Sequence, residues 1–501
     1  MFTPSIKRSS LVNLAGAFAP LLVTLLTLPL FLPLTGEFRY GALMLLWAVI
    51  GYMGVLDLGL GQAVSQRIAL LSTELKTEKH AQDDSVANVL WGGMISSLAM
   101  GLLGGIILAW LAPWLSANVF STPPELQHEL NAALAWMILA LPITTVSSVL
   151  MGALQGRHAF VTMNIAQVTG SVLALIFPLI LTLNNVLDLR SLFIAMLVAR
   201  GLQLLMLYHA CRRVVSDAPM RLGLPELPRL LRFGGWISVS SVLNPILVLT
   251  DRFMIGHRLD LAAVTAYTVP YSLATRLSLV PGSLSSVLFP RFSSVSGFEA
   301  QALMLRARLV LTAIMTPLAV LGILLMPAFL SLWLGEELGE RMAPVAVILL
   351  VGVWVNALAF LPYSYLQAQG RPDLPAKLHL LEVVPYLAFL WWVIGAWGIQ
   401  GAALAWTLRV AVDGILLFGV AHWHGQQATG LSLPTALSLA SATALVIGSA
   451  LITLYTHEAR WILSFGALAL ALLALWLWKN TPHELRDFAR SMLRKLRPKT
   501  L

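Results

Sequence analysis

Long apolar runs separated by short polar connectors recur along the whole chain. A hydrocarbon core about 30 Å thick needs roughly 20 predominantly apolar residues per crossing helix. Windows of that kind occur about 14 times, starting near Leu11, Tyr40, Val89, Asn131, Val161, Ser191, Gly234, Val264, Arg308, Met342, Ala376, Ile399, Leu433 and Ala459. The connectors carry turn residues, as in Ser121-Thr122-Pro123-Pro124 and Gln369-Gly370-Arg371-Pro372-Asp373. This pattern predicts an all-α polytopic integral membrane protein. The first run, Leu11 to Leu34, exceeds a signal-peptide core and has no small-residue cleavage site, so it reads as a retained span.

Charge sets the orientation. With the N-terminus inside, the inner segments hold Lys7 and Arg8, Arg157, Arg212 and Arg213, Arg291, Arg371, and the tail from Lys479 to Lys499. The outer loops hold Arg39, Arg190, Arg258, Arg341 and Arg460. Counted over all loops, about 23 basic residues face inward against about 5 outward, a strong positive-inside bias. An even number of spans then leaves both termini cytoplasmic. The tail places Leu485, Phe488, Met492 and Leu496 at helical spacing among basic residues, as in a segment lying on the inner leaflet.

Composition agrees and narrows the function classes. Of 501 residues, 58% are hydrophobic and 11% charged, whereas soluble chains carry roughly a quarter charged residues. A soluble domain of this length could not hide so much apolar surface. The net charge of +9 is explained by topology and contact with anionic lipid heads, not by nucleic acid. The single cysteine, Cys211, excludes an intrachain disulfide and argues against a thiolate metal cluster. No cofactor is expected.

Weak self-similarity runs through the chain. Leu154-Gln155-Gly156-Arg157-His158, after the fourth span, resembles Leu366-Gln367-Ala368-Gln369-Gly370-Arg371, after the tenth. The second and eighth spans likewise exit at Gln66-Arg67 and Pro290-Arg291. An offset of six spans keeps orientation, so the chain reads as two parallel six-helix lobes plus two C-terminal helices. The expected domains are an N-lobe over 1–213, a cytoplasmic inter-lobe linker over 214–233, a C-lobe over 234–424, two additional helices over 425–479, and a basic tail over 480–501. Two such lobes would leave a cleft able to open alternately to either side, the architecture of a transporter.

Charges inside the spans are candidates for function, because an ion at mid-bilayer costs at least a few kcal/mol. Asp57, in Gly54-Val55-Leu56-Asp57-Leu58-Gly59-Leu60-Gly61, reads either as part of a close-packing site or as a proton or sodium site. Asp251 is a second candidate for ion coupling. Arg252 and Arg276 on neighbouring spans could hold a phosphate or acidic sugar through bidentate hydrogen bonds; alternatively, Asp251 and Arg276 form a structural ion pair. Arg409 and Asp413, at i and i+4 on the twelfth span, read as a structural ion pair. Arg200 and Glu382 are single ionisable positions in the sixth and eleventh spans. His422-Trp423-His424 offers two imidazoles without a nearby carboxylate or thiol, so it reads as a solvated loop and no metal site is expected.

The stretch from Leu11 to Leu71 resembles the N-terminus of bacterial polysaccharide flippases (Wzx-type, the O-antigen and exopolysaccharide translocases) of the multidrug/oligosaccharidyl-lipid/polysaccharide exporter superfamily. The residues carrying it are Asn13, Gly16, Pro29, Tyr40-Gly41 and Leu56-Asp57-Leu58-Gly59-Leu60-Gly61. Asp251-Arg252-Phe253-Met254-Ile255-Gly256 with Tyr267 looks like the start of the family's second lobe, and Gln155-Gly156-Arg157 and Gln369-Gly370-Arg371 resemble its inside turns. The resemblance implies a glycan carried on undecaprenyl pyrophosphate, a V-shaped cationic central cavity touched by Arg252 and Arg276, and an inner-membrane location. Membrane lipids, a polysaccharide polymerase and chain-assembly proteins are the partners it implies. The arginine-rich first-helix signature of lipid II flippases is not evident in this chain.

The expected function is therefore a flippase that moves lipid-linked oligosaccharide by alternating access for cell-surface polysaccharide synthesis. An ion-coupled antiporter of drugs or small amphiphiles is the alternative. A membrane glycosyltransferase or polymerase would need convergent acids or bases on an extramembrane surface, and these short outer loops carry no paired-carboxylate motif, so an enzyme is not expected.

Overall fold

The computed structural model describes residues 6–53, 59–74, 79–118, 123–215, 249–295, 297–424, 433–455 and 459–480. Asp57, most of the 214–233 linker and the tail beyond Asn480 lie outside them. Among the described residues the regular structure is helical, without strands. This follows from the hydrocarbon solvent: an apolar segment can satisfy its backbone donors and acceptors internally only as a helix or within a closed barrel.

Packing divides the chain into two compact units, Met1–Thr265 and Ala266–Leu501. The first holds α1 (Ile6–Thr35), α2 (Glu37–Met53), α3 (Leu60–Glu74), α4 (Lys79–Asn118), α5 (Pro124–Leu134), α6 (Met137–Gly156), α7 (Phe160–Leu183) and α8 (Leu189–Val214). It also contains α9, helical over residues 249–258. Next, α10 (Leu261–Ala274) runs across the division. The second unit continues with α11 (Leu279–Ser294), α12 (Gly297–Leu334), α13 (Glu336–Ala368), α14 (Asp373–His424), α15 (Leu433–Tyr455) and α16 (Ala459–Asn480). Eight described helices are long and apolar enough to cross a membrane.

One of those eight, α14, is two helices in one. Trp397 and Gly398 leave helical geometry, with Gly398 at φ 57°, a left-handed conformation open to glycine. His379 contacts Asp413, Arg409 stands over Tyr386, and Gly401 abuts Val393. These pairings identify an antiparallel hairpin that turns at Trp397-Gly398. The eleventh and twelfth apolar runs are its arms.

In the first unit α6 is the central helix, packed on α3, α4 and α8. Two-thirds of its apolar window is buried, against 28% for the equally apolar α4. The outward face of α4 includes Trp110, 80% exposed, and a surface of that kind requires lipid. Close approach of α3 and α6 depends on Gly61 and Gly152. A Cβ on Gly152 would fall 1.9 Å from the Gly61 carbonyl oxygen, and a Cβ on Gly61 would meet Ser148. Small residues that let backbones touch are the usual adhesive between helices in lipid, where no hydrophobic drive exists between them.

In the second unit α13 plays the part of α6. It is buried to the same extent and packs on α11, α12, α14 and α15. Trp354 donates to Thr316 Oγ1 at 3.1 Å, and Thr407 donates to the Ile348 carbonyl at 3.0 Å. The C-terminal turns of α6 and α13 also match. Ala159 N–H reaches the Leu154 carbonyl and His158 N–H that of Gln155; Arg371 N–H reaches Leu366 and Gly370 N–H that of Gln367. Both are Schellman closures with a left-handed residue, His158 or Gly370, at the same point. The Leu-Gln pairs noticed in the sequence occupy identical positions in the two motifs.

Where α2 and α8 begin, a polar clasp joins them through α5. Arg39 donates to both oxygens of Glu129, at 3.0 and 2.8 Å. Leu189 N–H also donates to Glu129, and Asp188 caps α8 through Ser191 N–H. The hydrogen bond from Arg39 is the main reason the Glu129 carboxyl is held below the ordinary carboxylate range, with Leu189 N–H adding to it.

Two predictions follow from this packing. Gly152→Ala must push α3 from α6 and should cost about 3 kcal/mol by overpacking, read as a lowered unfolding temperature in detergent; Gly419→Ala, with nothing near the added carbon, should not. Glu129→Gln should cost about 1 kcal/mol at neutral pH. Because the folded-state value of Glu129 is depressed, this difference should vanish as pH falls below about 4, through the unfolded and then the folded value, in unfolding measured across pH.

Candidate substrate-binding and ion-coupling residues

The sequence singled out Asp251, Arg252 and Arg276. Asp251 and Arg252 lie on α9 in the first unit. Asp251 is fully buried and Arg252 is 8% exposed. The Asp251 carboxylate accepts the Arg252 backbone N–H at 2.7 Å and lies 3.8 Å from Arg252 Nη1. The two charges offset each other locally. Such a pair weakens each member for its expected role, since an anion would compete with Asp251 and a cation with Arg252.

Arg276 is placed differently. It stands on one turn of 3₁₀ helix, Thr275–Ser278, between α10 and α11. Pro270 and Pro281 flank this turn, each removing a backbone donor. A 3₁₀ stretch inside a helix often marks a hinge. Arg276 is exposed, and among the described residues no acidic side chain lies within ion-pair distance of it. Counted from either end of the α10–α11 segment, the guanidinium is at least about 20 Å along the chain axis, well inside the apolar stretch. An uncompensated cation at that depth is stable only where water reaches it.

Other intramembrane arginines were legible only as isolated charges. In α8, Arg200 donates to Gln203 at 2.7 Å, and its guanidinium lies 4.7 Å from the centre of the Trp47 ring. Gly170 on α7 leaves the room that Gln203 fills. Arg200 and Gln203 form an i, i+3 pair visible in sequence, whereas the stacking on Trp47 depends on α2 and α8 meeting. Arg308, at the start of the ninth apolar run, is 5% exposed and lies over the Phe418 ring at 5.4 Å.

The anticipated Arg409–Asp413 ion pair takes another form. The Arg409 guanidinium lies 5.5 Å over the Tyr386 ring, and the salt-bridge partner of Asp413 is His379, with Nε2 at 3.4 Å. Helical spacing brings Arg409 and Asp413 to one face, but the opposite arm of the hairpin supplies the contacts. His424 Nε2 meets Arg371, which also pairs with Asp373 at 3.0 Å. Hydrogen bonds from Arg371 and then Lys377 hold Asp373 well below the ordinary carboxylate range. Among the described residues no group of three or more His, Cys, Asp or Glu could hold a metal ion.

Comparison with known proteins places this geometry. The Shigella flexneri protein named "Putative O-antigen transporter" is 25% identical over 414 residues, covering 82% of this chain and 97% of that one. Among solved structures, the lipid II flippase MurJ in an inward closed conformation superposes with TM-score 0.71 at 13% identity, over 96% of this chain and 99% of its own. An inward-facing multidrug resistance MATE family transporter of the MOP superfamily gives TM-score 0.66 at 18% identity, over 82% of this chain and 98% of its own. The chain thus has the MOP-superfamily transporter fold and is a multi-pass membrane protein. The polysaccharide biosynthesis protein family profile matches residues 39–343, and the chain belongs to that family.

Proposed function

We propose that this protein is a flippase that moves undecaprenyl-pyrophosphate-linked oligosaccharide across the bacterial inner membrane by alternating access. The carrying observation is Arg276: an exposed guanidinium within a broken apolar segment, with no acidic partner among the described residues, needs a water-filled route and an anion. Pyrophosphate suits it, because a guanidinium meets phosphate oxygens through two parallel hydrogen bonds. Family membership and the O-antigen transporter relative support the glycan. The polar headgroup would follow the hydrated route while the polyprenyl tail stays in lipid. The 3₁₀ turn between α10 and α11 would supply the bend as the protein alternates between inward-open and outward-open states, with both termini cytoplasmic as the charge bias implies. A polymerase and chain-assembly proteins would receive the product.

The small-amphiphile antiporter reading is weaker for a specific reason. MurJ aligns with 96% of this chain and the MATE transporter with 82%, a difference that favours the flippase layout with its additional helices. Arg252 keeps a place in this proposal as the stabilising partner of Asp251.

Reconstituted into proteoliposomes, wild type should flip undecaprenyl-pyrophosphate oligosaccharide but not a cationic dye. Arg276→Ala should slow flipping about tenfold or more, the loss expected for one charge-assisted contact, while the unfolding temperature stays within a degree or two. Arg252→Ala should instead lower the unfolding temperature. Transport of the dye alone, indifferent to Arg276, would overturn the assignment.

A further inference from the structure

Inside the α14 hairpin a set of ionisable groups gathers that the substrate route does not use. Glu382 on the first arm is 7% exposed, as is Asp413 on the second. Among the described residues neither Glu382 oxygen receives a hydrogen bond from a donor, nor does Asp413 Oδ1. The antiparallel register of the hairpin, fixed by His379 against Asp413 and Tyr386 against Arg409, sets Glu382 opposite the turn that carries Arg409 and Asp413. His379 reaches Asp413 at 3.4 Å, and its side chain is the most accessible of the group at 27% exposed. From α13, Tyr363 stacks on the His379 ring. On the hairpin itself Tyr386 lies beneath Arg409, and from α12 Arg308 stands over Phe418 farther along the second arm.

Depth makes this arrangement costly as it stands. Glu382 is nine residues from the start of α14 and Asp413 eleven from its end, about 14 and 16 Å along the axis, so both lie within the apolar arms and not at their ends. Two carboxylates and one guanidinium leave a net charge of −1 when the imidazole is neutral. Two ionised carboxylates can only accept, so they cannot hydrogen-bond to each other. One added proton removes both problems: it turns one carboxyl into a donor to the other and brings the cluster to neutrality. A bound metal cation would be repelled by Arg409, a permanent positive charge on the second arm.

We infer that the Glu382–Asp413 pair, with Arg409 as counter-charge and His379 as the exit toward water, is a proton-binding site that couples transport to the proton gradient. The coupling rests on the flippase reading, whereas the proton site itself does not. Binding needs no covalent change: a proton leaves water on one side through the His379 imidazole, bridges the two carboxyl oxygens, and departs through His379 to the other side once the protein has alternated. Protonation switches the hairpin arms between an attractive and a repulsive contact, giving a two-state element that a gradient can bias.

The test uses the full chain in proteoliposomes and has two arms. Infrared difference spectra between acid and alkaline pH should show a protonated-carboxyl band in wild type that is missing from Glu382→Gln and altered in Asp413→Asn. A spectrum unchanged in both variants overturns the site, whichever of them folds better. In the second arm, the steady-state distribution of undecaprenyl-pyrophosphate oligosaccharide between leaflets should shift about tenfold per pH unit of gradient for one coupled proton, should not shift in Glu382→Gln, and should ignore a sodium gradient. A response to sodium, or to pH in Glu382→Gln, overturns the coupling. If wild type flips no glycan, the substrate reading fails while the infrared arm still decides the proton site.

Discussion

Hydrocarbon offers no hydrogen bonds and little screening, and each unit of this protein is built under that constraint. Backbone groups must be satisfied along their own helix, which is why every described regular element is helical. Helices gain nothing from hydrophobic association when lipid is equally apolar, so they are held by contact at short range. The Gly61–Gly152 approach of α3 and α6 and the packing of Gly352 against Trp406 and Thr407 are instances in the two units. Each involves the central helix of its unit, α6 or α13.

The same constraint sorts the intramembrane charges into three solutions. Asp251 and Arg252 pair as neighbours in sequence. Arg200, Arg308 and Arg409 hold their guanidinium groups over the rings of Trp47, Phe418 and Tyr386, where cation–π attraction replaces part of the lost hydration. Arg276 does neither and stays exposed on its 3₁₀ turn. A charge compensated within the protein contributes to architecture; a charge left accessible in an apolar segment is available to a ligand. This distinction ranks Arg276 above Arg252 as a substrate contact, although the sequence treats the two alike.

Much of the fold was legible because its signals are local. Apolar run lengths located the helices, and the Leu154-Gln155 and Leu366-Gln367 match located two turns with the same hydrogen-bond closure. Breaks were harder to read. The 3₁₀ turn at Thr275–Ser278 lies between two prolines that were visible, yet proline within a span permits a bend without specifying one. The turn within α14 was easier: apolar runs starting near Ala376 and Ile399 leave almost no connector between them, and Trp397-Gly398 fall at that boundary. Candidate site residues were legible as positions and illegible as partnerships. Arg409 and Asp413 share a helical face, but whether they meet depends on what His379 and Tyr386 offer from the other arm.

Glu382 shows why partnership decides function here. In sequence it is one carboxylate in the eleventh apolar run, a position that an interface could explain. The hairpin brings it instead opposite Asp413, more than thirty residues away in sequence, where both are largely shielded from water. A lone buried carboxylate would simply take up a proton and fall silent. A carboxylate beside a second one, with a guanidinium in reach and an imidazole leading outward, is pulled two ways: a shared proton removes the repulsion within the pair, whereas Arg409 attracts the ionised form. Comparable stability of two states is what a gradient of modest size needs in order to shift a protein between them. The chain thus keeps a few incompletely satisfied charges in a solvent that penalises them, and those charges are the groups through which protons and substrate can act.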